Sequence, residues 1–243
     1  MGSDSNTQMN MVEHLEEVRK RLIRTLLAFL VALVASFIYV QDIYQWLVRG
    51  MDKKLVILGP SDVMWVYFMI AGVFALAVTT PVAAYHVWKF LQPALSEQAR
   101  RVTLLFIPGM TVLFLIGISF GYLILFPMVL SFMNQMAAAD FNAMYTAEKY
   151  FTFMIHMTVP FGLLFEMPAV VMFLTHLGIL NPHLLAKARK LAYFLLVIIA
   201  VTITPPDILS DLVVTVPLFL LYEISIAISK VVYRKQLKLQ NEL

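Results

Sequence analysis

Residues 14–40 read HLEEVRKRLIRTLLAFLVALVASFIYV. Residues 14–24 hold two carboxylates and four bases, while residues 25–40 hold no charge at all. An uncharged apolar run of this length belongs inside a bilayer, because a helix rising ~1.5 Å per residue needs roughly 20 residues to cross the hydrocarbon core. The bases at its N-terminal end mark the cytoplasmic side. The carboxylates at the mouth of the span are not needed for that purpose, and they raise the question of what they serve.

The whole chain agrees with a membrane protein. Of its 243 residues 61% are hydrophobic and 14% charged, with a mean hydropathy of +0.83. Soluble domains carry about 25% charge. Cysteine is absent, which removes disulfides, thiol chemistry and zinc–thiolate sites. The start, Met1–Met11, is polar, and the first apolar run is too long and lacks an A-x-A exit, so it reads as a span and not as a cleavable signal. Residues 1–10 are expected to form a flexible tail, 11–233 a six-helix transmembrane domain, and 234–243 a cytoplasmic tail.

Six apolar runs predict an all-α polytopic fold, with spans at about 22–40, 64–91, 102–136, 150–177, 191–203 and 209–228. Spans two to four exceed the bilayer requirement and contain Pro81, Pro108, Pro127, Pro160 and Pro168, so tilted and kinked helices are expected. With the N-terminus inside, fourteen of the eighteen Lys and Arg residues fall on the cytoplasmic side, and only Arg49, Lys53, Lys54 and Lys149 lie outside. Both termini are therefore expected in the cytoplasm. The fifth run would make a helix of about 20 Å, short of the ~30 Å core. It closes on Thr204-Pro205-Pro206-Asp207, and Asp211 follows at once. Such a hairpin requires either a thinned membrane or cover from the protein itself.

Few residues here can carry chemistry. Glu166 sits near the middle of the fourth span beside Pro168; an ionisable group at that depth faces a cavity or a partner, or a protonated carboxyl bonds the carbonyls that proline frees. His156, ten residues earlier and about 15 Å along the axis, is too far to pair with it and reads as a buried, satisfied histidine. Glu223 is expected to pair with Lys230 or its surroundings near the inner surface. No His/Glu cluster at helical spacing supports a metal. On the cytoplasmic face, Glu16–Lys20 and Glu17–Arg21 are i, i+4 pairs, worth ~0.2–0.5 kcal/mol each on a solvated helix. The other reading of the acids, Glu13 included, is a receptor for a cationic ligand, and planar bidentate geometry would select arginine over lysine. The second inside loop, residues 90–101, adds Glu97 beside Arg100 and Arg101, after Pro93 breaks the helix.

Four motifs in order on this topology give a resemblance: HLEEVRKRL at 14–22; WKF at 88–90 with Pro93-Ala94-Leu95 and Arg100-Arg101; FEMP at 165–168; and ITPPD at 203–207. Together they resemble the TatC family, the multispanning core of the twin-arginine protein translocase, over about residues 11–233, and most of all the Gram-positive kind that works with TatA alone. The resemblance implies a glove-shaped, concave wall with short fifth and sixth helices. It implies a receptor that binds twin-arginine signal peptides at the cytoplasmic face of the bacterial cytoplasmic membrane and recruits TatA-type (or TatB-type) single-span subunits. Folded precursors would pass by the proton-motive force. No enzyme activity, cofactor or nucleic acid is implied; self-association and the lipid bilayer are.

Residue by residue, the resemblance makes Glu17 a signal-binding glutamate and Arg19 its neighbour, framed by Leu15, Val18 and Leu22. Phe90, Pro93, Leu95, Arg100 and Arg101 complete the signal site. The second signal-binding glutamate of the family stands directly before the paired bases. Here that place is Ala99, with Glu97 two residues earlier, so Glu97 takes the role, or Glu16 or Glu13 does, or binding is weaker. Gly50 stands where many members have proline. Glu166 and Asp207 match intramembrane acids, with Asp211 close by, and Val201 and Thr204 match positions for docking a partner helix. The competing reading is a small proton-coupled transporter with Glu166, Asp211 and His156 as relay, although no inverted repeat is evident. An intramembrane enzyme would need an HExxH, GxSxG or facing aspartate pair, and the sequence has none.

Overall fold

The computed structural model describes the backbone of residues 4–49, 55–91, 106–137, 144–204 and 208–241, and side chains within 15–49, 55–90, 106–137, 144–204 and 210–235. The chain is all-α. The helices are α1 (Asp4–Ile38), α2 (Val40–Val48), α3 (Pro60–Leu91), α4 (Phe106–Phe120), α5 (Phe126–Ala137), α6 (Ala147–Leu164), α7 (Met167–His176), α8 (Pro182–Lys187), α9 (Arg189–Ile203) and α10 (Ile208–Asn241). Among the described residues, five stretches are long and apolar enough to cross a membrane: Leu15–Ile38, Pro60–Phe90, Phe106–Ala137, Ala147–His176 and Ser210–Lys235. The fifth expected span, α9, has 15 residues and a length of about 22 Å, short as its sequence indicates.

Pro81 and Pro160 lie inside continuous helices, whereas the spans lose regular α-helical form next to Pro127 and Pro168, each in its own way. Between α4 and α5 the chain forms a π-helical turn, Gly121–Leu125, in which the Phe126 N–H donates to the Gly121 carbonyl five residues back. This wider turn comes directly before Pro127, which has no N–H to give and would crowd a regular turn. The fourth span is not one continuous helix. It breaks at Phe165–Glu166, where the Glu166 N–H turns back to the Leu163 carbonyl at 3.1 Å and Pro168 stands within the first two residues of α7. α7 ends in a left-handed Gly178 (φ 75°), with the Ile179 N–H donating to the Leu174 carbonyl at 3.0 Å, the usual glycine stop.

Both ends of the chain depart from expectation. Residues 4–10 are helical within the expected flexible tail; nothing from Thr7 to Glu17 is a glycine or proline that would interrupt the helix. At the other end α10 is not short. It runs 34 residues through the expected tail, because Arg234, Lys235, Gln236, Leu237 and Lys238 all favour helix.

Two apolar clusters hold the bundle. One joins α2, α3, α5 and α6 through Val40, Val66, Ile70, Phe126, Phe151 and Met157. On this side Val56 pairs with Thr146 in a parallel bridge, with Val56 N–H to Tyr145 carbonyl at 3.0 Å and Ala147 N–H to Val56 carbonyl at 2.8 Å, which clasps the segments that lead into α3 and α6. The other cluster joins α6, α9 and α10 through Phe161, Leu196, Ala200, Val214, Leu218 and Ile226. Between α4 and α6 the backbones nearly touch: a Cβ on Gly117 would lie 2.5 Å from the Phe161 carbonyl oxygen, and one on Gly121 2.7 Å from the Thr158 Cα. Small residues let membrane helices approach this closely.

Candidate functional site

Helix α1 presents its charged end as two parallel pairs. Glu16 and Lys20 meet at 2.9 Å. The Arg21 Nε donates to Glu17 Oε1 at 3.1 Å, and Nη2 donates to the same oxygen. Both i, i+4 pairs seen in the sequence therefore form. The second is anchored: the Arg21 side chain is only 14% exposed, and its Nη1 lies 3.5 Å from the His86 carbonyl on α3. Glu17 remains 40% exposed. A carboxylate has about four lone-pair sites, so holding Arg21 does not saturate it.

The flanks of this pair are open. Leu15 and Leu22 are 67% exposed and Val18 41%, and Arg19 is exposed. At the end of α3, Trp88 is buried, Phe90 is half-buried, and Lys89 lies over the Tyr85 ring at 5.9 Å. Pro93, Leu95, Glu97, Ala99, Arg100 and Arg101 lie outside the described residues, as do Gly50 and Asp207. The Arg21–His86 contact nevertheless brings Glu17 to the end of α3, the point from which that second loop departs.

The intramembrane polar groups form a second region. Glu166, at the hinge between α6 and α7, is buried, and neither carboxyl oxygen has a hydrogen-bond partner among the described residues. The carbonyl-bonded carboxyl that the Pro168 break made possible is not formed. A bare buried carboxyl is costly, which leaves Glu166 fit to receive a polar group from outside. Thr204 closes α9; its Oγ1 lies 2.5 Å from Asp211 Oδ1 and 2.9 Å from the Ala200 carbonyl, so α9 and α10 are latched at that end. Val201, one turn back, is 46% exposed.

Two expectations are corrected. His156 is exposed on α6, not buried. Glu223 does not pair with Lys230; Arg189 at the start of α9 reaches it with a two-pronged contact, Nε at 2.8 Å and Nη2 at 2.9 Å, and the Tyr193 hydroxyl adds a third bond at 2.6 Å. Guanidinium geometry outcompetes an ammonium seven residues away. The close-packed Gly117 and Gly121 escaped sequence reasoning, although their G-x-x-x-G spacing is a recognisable sign.

The family model described as Sec-independent protein translocase protein (TatC) matches residues 13–217. The Sec-independent protein translocase protein TatCd of Bacillus subtilis (strain 168) is 54% identical over 231 residues, covering 95% of this chain and 96% of the relative. TatCy of the same organism is 46% identical, covering 95% and 92%. The crystal structure of a twin arginine translocase receptor, TatC, matches with a TM-score of 0.78 at 29% identity, covering 90% of this chain and 99% of that one. These matches give no support to the transporter reading of Glu166.

Proposed function

Since the chain belongs to the TatC family of Sec-independent protein translocase proteins, we propose that it is the membrane receptor for twin-arginine signal peptides and the core of the translocase that exports folded proteins. The observation that carries this reading is Glu17: a half-exposed carboxylate, oriented by a half-buried arginine, at the junction of α1 with the end of α3. A signal guanidinium approaching Glu17 meets an acceptor already fixed in rotamer, so less side-chain entropy is lost on binding. Leu15, Val18 and Leu22 supply apolar flanks for the rest of the signal. By the family resemblance, Phe90, Pro93, Leu95, Arg100 and Arg101 complete the signal site, and Glu97, or Glu16 or Glu13, takes the place of the glutamate absent at Ala99.

The protein lies in the bacterial cytoplasmic membrane with both termini inside, as its Lys and Arg distribution favours. TatA-type single-span subunits dock by Val201 and Thr204 on α9, with the polar groups Glu166, Asp207 and Asp211 receiving polar side chains of the partner. The bare carboxyl of Glu166 supports this, because a buried polar group gains most from a partner that satisfies it. The proton-motive force drives the cycle, and the protein itself is not an enzyme.

The test is binding of a labelled twin-arginine signal peptide to the protein in lipid nanodiscs, beside a Lys-Lys control. The Arg-Arg peptide is expected to bind more tightly. Glu17→Ala should weaken it by roughly 1.5–3 kcal/mol, the range for hydrogen bonds to charged groups. Equal binding of the two peptides, or an affinity unchanged in Glu17→Ala, would remove Glu17 from the recognition site.

A further inference from the structure

An apolar groove of about 270 Å³ runs between α4, α7 and α10. Leu113 and Ile116 form one wall, Pro168 and Met172 the second, and Ile224 and Ile228 the third. Its lining is wholly apolar. At ~100° per residue, Ile224, Ile228 and Lys235 fall within about 40° of one another on α10, so the groove leads along one helix face to a lysine. On α7, Pro168, Met172 and His176 likewise share one face. Lys235 is exposed and forms no ion pair among the described residues. Lys230, also exposed, projects from the opposite side of α10 by the same count.

We propose that this groove holds an acyl chain of an anionic phospholipid, with the lipid phosphate at Lys235. The wholly apolar lining calls for an apolar occupant, and the cation at its end calls for an anion. Both demands meet in one molecule only if the charge follows the chain by the right distance. Ile228 and Lys235 are seven residues apart, about 10 Å along the helix. The headgroup region adds roughly 5–8 Å beyond each edge of the hydrocarbon core, and a lysine stem covers the remainder by snorkelling. A partner helix fits less well: helix pairs in membranes close over small residues, whereas Leu, Ile and Met side chains form most of these walls.

The test uses the full-length protein in a neutral maltoside detergent, titrated by native mass spectrometry with phosphatidylglycerol and with phosphatidylcholine of the same chains. Phosphatidylglycerol should be retained about fivefold more strongly, the effect of one cation near a lipid headgroup. Lys235→Gln should abolish that preference and leave phosphatidylcholine binding as it was, while Lys230→Gln keeps the preference. Ile116→Trp, which fills the groove, should lower binding of both lipids; Met172→Phe provides the same check if the tryptophan variant fails to fold. Glycerol phosphate alone should not compete. Equal binding of the two lipids by the unmodified protein would overturn the proposal, as would a preference that survives Lys235→Gln, lipid binding indifferent to a filled groove, or competition by the free headgroup.

Discussion

Consider alanine in place of Gly121. The added Cβ would stand 2.7 Å from the Thr158 Cα and 2.8 Å from the Met157 carbonyl oxygen. Non-bonded atoms settle at about 3.5–4.0 Å, so roughly 1 Å of separation must be found. Both obstacles are backbone, and neither can rotate away; the π-helical turn has to slide off α6 as a body. Alanine repays about 1 kcal/mol in helix propensity, against about 1–3 kcal/mol or more for overpacking, and the net effect is a destabilisation of up to about 2 kcal/mol. Gly117→Ala should behave the same way, since its Cβ would meet the Phe161 carbonyl oxygen at 2.5 Å. Gly162→Ala meets only the ends of side chains, Ile118 Cδ1 and Phe114 Cε2, both at 2.9 Å, and should cost less. Gly72 has nothing within 4 Å, so alanine there should be neutral or stabilise by up to about 1 kcal/mol. Denaturant unfolding of the four purified variants in one detergent gives the order. If Gly121→Ala proves as stable as Gly72→Ala, the close contact of α4 with α6 is not what packs these spans.

Other perturbations follow from the polar groups. Glu166→Leu removes two buried, unpartnered oxygens and should stabilise the protein by about 1–3 kcal/mol while blocking export in vesicles; Glu166→Gln should leave peptide binding intact and still impair export. Glu223→Gln loses the Arg189 fork, but both side chains are 40% exposed, so unfolding experiments should show a loss of about 1 kcal/mol or less. Ala99→Glu should hold or improve affinity for the twin-arginine peptide, and a weaker affinity would show that Glu97 already fills the role.

Much of this architecture was legible in the sequence because a bilayer makes the rules few. The uncharged run at 25–40, the Lys and Arg distribution and the brevity of 191–203 each follow from one length or one charge rule. The short motifs around Glu17, Glu166 and Thr204 pointed to the family directly. What stayed hidden depends on three-dimensional approach. The partner of Glu223 is Arg189, 34 residues distant, and no local pattern couples them. Pro168 marked a kink in the fourth span, but the proline alone did not tell that the helix would stop at Phe165–Glu166 and start again. The pairing of Glu17 with Arg21 was visible as spacing, but its anchoring to α3 through the His86 carbonyl was not.

The paired charges on α1 also govern how fast a ligand arrives. Glu16 is matched by Lys20 and Glu17 by Arg21, so the acids at this end project almost no attractive field beyond contact range. Arg19 and Arg24 form no ion pair among the described residues. On the proposed reading, a peptide bearing two arginines should therefore approach the site against a positive potential and be recognised only on arrival. Screening falls within about 8 Å at physiological salt, so added salt should first speed association and only later weaken the bound state. That is the reverse of the steering seen where charges of opposite sign draw partners together.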